Sequence, residues 1–166
     1  MGNLRDPATL IRGGTEDRCL PTLRIDLSDA HAPWSAVHLG RSGAAIHVKG
    51  YAFLGETCYH GEGLARWIGE GLGSASVDDQ IRIVEEVVPT LNGSWGLVVH
   101  WSGRDALAAV DRSRSVPLFY SHDRSSGVVG SCAEDVCRLL GGCPIDDVAA
   151  AELLLSGFVS GRRTLY

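Results

Sequence analysis

The chain has 166 residues, 45% of them apolar and 21% charged, with a formal net charge of -5. That is enough for one domain with a real core, too few for two comfortable ones, and globular rather than disordered in balance. The 15 lysines and arginines are scattered, which argues against a nucleic-acid footprint. No apolar run approaches the roughly 20 residues of a membrane-crossing helix.

Cys19, Cys58, Cys132, Cys137 and Cys143 are odd in number and include no C-x-x-C. They predict reduced thiols in a cytoplasmic setting, not a disulfide framework or a zinc knuckle. The start M-G-N-L-R-D-P lacks the basic-then-apolar pattern of a secretion signal, and Asp6 gives Gly2 little support as a myristoylation site.

Residues 1–20, polar and containing Gly13-Gly14, read as a flexible arm ahead of a domain over 21–155. Leu23–Leu27 alternates like a short strand, and Ser35–Leu39 with Ala44–Val48 predicts a hairpin. Ala52–Leu54 continues in strand-like fashion. Gly63–Leu72 predicts a helix with Leu64, Trp67, Ile68 and Leu72 on one face, weakened at its end by glycines. A stronger helix begins at Ser76, with Ile81, Val84, Val88 and Leu91 at helical spacing and Asp78 and Asp79 at its positive end. Pro89 should end or distort it. Four short runs follow: Trp95–Trp101, Ala106–Val110, Val116–Tyr120 and Val128–Gly130. Their tight connections predict an antiparallel meander rather than β-α-β alternation. Ser131 and Glu134 have the spacing of a capping box for a helix through Leu140. Asp146 or Asp147 should cap a last helix through Leu155, stopped by Gly157. Residues 156–166 read as the start of a linker.

The chemical inventory is sparse. No phosphate-binding loop and no dinucleotide fingerprint occurs, so no cofactor is expected in this chain. His38 and His47 face one another across the proposed hairpin, but a metal needs three or four converging ligands, and no metal site is expected. Cys58 and His60 lie two apart, on one face if extended, a spacing compatible with a nucleophile and its base but commoner as coincidence. Cys132 and Cys137 read as small buried hydrophobes. Asp111, Arg112 and Arg114 form the densest charged turn, for which a capped turn and a docking surface are both open. The four tryptophans suit core or interface anchors better than a ligand cage.

Leu91-Asn92-Gly93, then Asp111, then Pro117-Leu118-Phe119-Tyr120 resemble the N-terminal glutaminase-like domain of asparagine synthetases and their relatives, the class II amidotransferase type. The likeness covers about Gly50 to Tyr166 and is nearest to lasso-peptide cyclases or β-lactam synthetases. It implies an α+β, Ntn-hydrolase-like four-layer αββα sandwich with two antiparallel sheets. It also implies a partner: a C-terminal synthetase domain, in cis or as a separate chain, that uses ATP and Mg, adenylates a carboxylate and lets an amine close the amide, with a peptide as possible substrate.

The departures are at the chemistry. Gly2 stands where the family has its nucleophilic cysteine, Lys49-Gly50-Tyr51 where it has N-G-E, and Arg114 where it has a glycine. Arg24-Ile25-Asp26 only faintly echoes its substrate-binding arginine segment. The implied role is therefore a non-catalytic domain, with no catalytic residue of its own. Lys49, Gly50 and Tyr51 would be the relic of a glutaminase pocket. Asp111, Arg112 and Arg114 would make interdomain contacts, and Trp95, Pro117 and Tyr120 would pack the scaffold. The two alternatives are a free-standing amino-acid or protein binding module and an active glutamine amidohydrolase.

Overall fold

The computed structural model describes residues 8–11, 22–28, 33–40, 43–101, 106–122 and 126–157. Most of the expected linker and most of the expected arm lie outside these, Ser156 and Gly157 of the linker belonging to the last helix and its end. Within the arm, Ala8–Ile11 forms strand β1.

The long strand β4, Ala44–Leu54, organises the larger sheet. Strands β3 (Ser35–Leu39) and β5 (Thr57–His60) share one of its edges in succession, and β6 (Asn92–Trp101) lines the other. Beyond β6 lie β7 (Ala106–Val110) and then β1, and every pairing in this sheet is antiparallel. The period of two along β4 sends Ala44, Ile46, Val48 and Ala52 into the main core, facing Leu97, Val99 and Trp101 of β6.

Helices α1 (Gly61–Leu72) and α2 (Val77–Val87) complete that core. Helix α1 buries Leu64, Ala65, Ile68 and Leu72, each large side chain contributing about 1.5–3 kcal/mol relative to exposure. Gly69, which looked like a weak point, lets the helix approach the sheet: a Cβ there would crowd Leu39 Cδ2 at 3.1 Å and Ile46 Cδ1 at 3.3 Å. Helix α2 is capped by Ser76, whose Oγ accepts the Asp79 amide at 3.2 Å and donates to the Asp79 carboxylate at 2.7 Å. Pro89 does not stop the chain outright but tightens it into a 3-10 turn, Val88–Thr90.

The smaller sheet overturns two expectations. Its order is β2 (Thr22–Asp26), β9 (Ser126–Gly130), β8 (Phe119–His122), with β8 and β9 antiparallel but β2 and β9 parallel. The two sheets are therefore not both antiparallel, and the chain is an α+β fold with a mixed second sheet. The Ntn-hydrolase-like sandwich implied by the resemblance is not met, and the ligase, ATP-dependence and lasso-peptide assignments attached to that fold gain no support from this topology. The four-strand meander also divides: β6 and β7 stay in the larger sheet while β8 and β9 cross to the smaller one. The cause is packing, because Val129, Ile25, Leu118 and Tyr120 close over Val98 and Ala108 on the larger sheet's second face.

Helix α3, Ala133–Leu139, packs on the smaller sheet, with Val136 against Gly130. Ser131 is not its cap. The Ser131 amide donates to Asp26 O at 3.1 Å and its hydroxyl to Ser28 O at 3.1 Å, so the helix starts one residue later than expected, at an uncapped Cys132. Helix α4, Asp147–Ser156, begins at Asp146, whose carboxylate accepts from the amides of Val148 and Ala149, and ends at a left-handed Gly157.

Candidate functional site

The hairpin that carried the resemblance is built around one carboxylate. Asp111 is 5% exposed, and its oxygens accept the amides of Ser113 at 2.8 Å, Ser115 at 3.1 Å and Trp95 at 3.3 Å, as well as the Ser115 hydroxyl. Burial acts to raise its pKa, but the donors from Ser115, Ser113 and Trp95 outweigh it and hold the carboxyl below its ordinary value. The Ser115 hydroxyl also lies 2.7 Å from that of Ser94, fastening the turn to the strand. Asp111 is thus spent inside the domain. Arg112 and Arg114 stand exposed on the same turn, Arg114 with a positive φ of 53°. Trp95 is buried in the main core, Tyr120 partly covers the second core, and Pro117 is exposed beside buried Val116. Gly96 makes room for that turn, since a Cβ there would meet Val116 Cγ1 at 2.7 Å and Trp34 at 2.8 Å.

The three residues expected as a relic pocket are continuous strand. Lys49, Gly50 and Tyr51 pair in register with Gly96, Trp95 and Ser94. Gly50 has φ 92°, and any side chain would be driven into the Ser94 carbonyl. Lys49 is half-buried and Tyr51 exposed. The Arg24 guanidinium donates to the Leu139 carbonyl at 3.2 Å, closing the end of α3.

Two clusters lie on the second face of β4. The first joins His38, His47 and His100. The His47 ring is edge-on to His38 at 6.4 Å and stacked on His100 at 5.5 Å. Burial, then the neighbouring His100 and His38, lowers the pKa of His47; burial, then His38, lowers that of His100. The sequence paired His38 with His47, but His100 joins them only through the β4–β6 register. Among the described residues, no group of three or more His, Cys, Asp or Glu side chains is placed to hold a metal.

The second cluster is at the β4–β5 end. Cys58 Sγ lies 3.4 Å from His60 Nε2, as the two-residue spacing on one strand face allowed. Opposite them in register stand Phe53 and Tyr51. The Tyr51 ring is 5.7 Å from His60 and 5.8 Å from Phe53. The other described cysteines are placed differently. Cys137 is buried, and burial, then the adjacent Cys143 thiol, pushes its thiol up to about 11.

The last element with functional potential is α4. Its leucine run leaves Leu154 86% and Leu155 88% exposed, with Ile145 and Val148 also exposed, and only Ala149 is buried. Among the described residues, no helix is long and apolar enough to cross a membrane. No family model, curated protein or solved structure matches the chain.

Proposed function

We propose that this chain is a non-catalytic docking domain that serves an amide-forming enzyme of the asparagine synthetase-related kind, whose reaction centre lies in another domain or in a separate chain. The observation that carries this is α4: a ten-residue helix presenting leucines to solvent holds apolar surface that a partner would cover. The L-N-G and D-x-x-x-x-x-P-L-F-Y motifs supply the resemblance to amide-forming enzymes on which the proposal rests, and Asp111 supports the non-catalytic half, because its carboxylate is committed to its own turn and to the Trp95 amide. A cytoplasmic location belongs to the same proposal and rests on the odd number of cysteines.

The test is native mass spectrometry and size-exclusion chromatography of the protein from its natural source, repeated with Leu154→Glu and Leu155→Glu together. A tight amide-forming partner or covalent neighbour, lost or uncoupled by the double substitution while the domain keeps its thermal stability, is the expected result. A lone chain with no amide-forming activity associated with it would refute the proposal and favour a free-standing binding module.

A further inference from the structure

The β4–β5 hairpin brings a thiol, an imidazole and two exposed aromatic rings onto one strand face. Cys58 is half-buried, neither sealed in the core nor fully solvated. Its Sγ is 3.4 Å from His60 Nε2, inside the range for a sulfur hydrogen bond. His60 is exposed and stands at the N-cap of α1, yet makes no side-chain cap there. Its ring is therefore not engaged in supporting the helix. The strand face is completed by Phe53, in register with Cys58, and Tyr51, in register with His60, both exposed aromatics in mutual edge contact at 5.8 Å.

We infer that Cys58 is a nucleophilic thiol served by His60, and that it takes low-molecular-weight disulfides, preferentially those with a flat apolar half that can lie on Phe53 and Tyr51. Thiol–disulfide exchange needs an attacking sulfur that can lose its proton and an open approach to it. His60 Nε2 accepts the Cys58 proton as Sγ attacks one sulfur of the ligand. A new S–S bond forms as the ligand's own S–S bond breaks, and the departing sulfur recovers the proton from His60. Cys58 is oxidised to a mixed disulfide, and the ligand is reduced to one free thiol. The remaining described thiols lack this constellation: Cys137 is buried beside Cys143, and Cys132 opens α3 without a side-chain cap bond. The inference does not depend on the docking role proposed above.

The experiment reacts the whole native chain with dithiodipyridine, an aromatic disulfide, following thiopyridone release and locating the label by peptide mass spectrometry. The first equivalent is expected at Cys58 and disappears in Cys58→Ser. His60→Gln is expected to slow that phase about a hundredfold, the lower end of what a positioned base contributes, and to change the pH profile of that phase. Phe53→Ser should slow the aromatic reagent more than oxidised glutathione, whereas Cys143→Ser should leave the Cys58 phase unchanged. Circular dichroism and thermal unfolding confirm that each variant is folded, and His60→Asn repeats the test should His60→Gln unfold. First labelling at another cysteine, or wild-type rate and pH profile in the folded His60 variant, would overturn the inference.

Discussion

Replacing Asp111 with alanine tests whether the charged turn is a brace or a surface. The substitution removes one hydroxyl donor's acceptor and the shared acceptor of the Ser113, Ser115 and Trp95 amides. A hydrogen bond to a charged group contributes about 1.5–3 kcal/mol, and an orphaned buried donor costs about 1–3 kcal/mol. Ser113 and Ser115 are exposed, so their amides can turn to water, while the Trp95 amide sits on a buried strand. The net loss is expected to be about 3 kcal/mol, equivalent to about 6–12 °C in Tm for a chain of this size. Asp111→Asn keeps one acceptor oxygen and should lose about half as much. The effect is also pH-dependent. The folded carboxyl titrates below its ordinary value of 3.8, so its contribution is complete above that pH and is lost as pH falls through the lower, folded value. Urea unfolding of wild type and Asp111→Ala at pH 7 and at intervals down to pH 3 reads both effects, and the gap between them should narrow below 3.8. A loss under about 1 kcal/mol at pH 7, or a gap indifferent to pH, would refute the brace and return Asp111 to the role of an interdomain contact.

Gln80 is fully buried, accepting the Trp101 indole N–H at 2.7 Å and donating to Ala75 O at 3.2 Å. Gln80→Leu should therefore cost about 1–3 kcal/mol by chemical denaturation, despite its greater apolarity. His47 and His100 have folded pKa values below the ordinary 6.5, so the unfolded chain binds protons more readily. The cluster's contribution to thermal stability should be flat above pH 6.5, and stability should fall as pH drops below it, a slope that His47→Phe reduces; an unchanged slope would remove the cluster as its source. Gly50→Ala should destabilise by more than the roughly 1 kcal/mol of an ordinary left-handed alanine, because its Cβ also meets the Ser94 carbonyl. Wild-type stability in that variant would mean the β4–β6 register gives way at no cost.

What could be seen in the sequence was local. The alternation of Ser35–Leu39 and Ala44–Val48, the helical spacing of Ile81 and Val84, the helix start at Ser76 and an aspartate cap at 146 or 147 depend on neighbours within a few residues, and each is present, the last at Asp146. The failures were non-local. Nothing near Ser131 announces that its amide and hydroxyl are taken by Asp26 and Ser28. Nothing near Val128 announces a parallel partner at Arg24. The short strand β5 fell between hairpin and helix signals and was missed, although Cys58 and His60 on it were recognised as sharing a face. His100 was not associated with His47 because their contact exists only once β4 and β6 are aligned. For Asp111 the sequence left a capped turn and a docking surface both open, and what it did not show is that the Trp95 amide, 16 residues earlier, joins those of Ser113 and Ser115 on the carboxylate.

The parallel pairing of Arg24 with Val128 also bears on how the chain is made. A strand near the start must wait for a partner about a hundred residues later, while β4, β6 and β7 find one another over much shorter stretches. On a ribosome, where earlier segments are free to fold first, the larger sheet and its two helices can assemble while β2 is still unpaired. The smaller sheet then closes as a late seal over Val98 and Ala108, once β8 and β9 have emerged. A nascent chain arrested after β7 should accordingly protect the amides of β4 and β6 from exchange while leaving Leu23–Asp26 open.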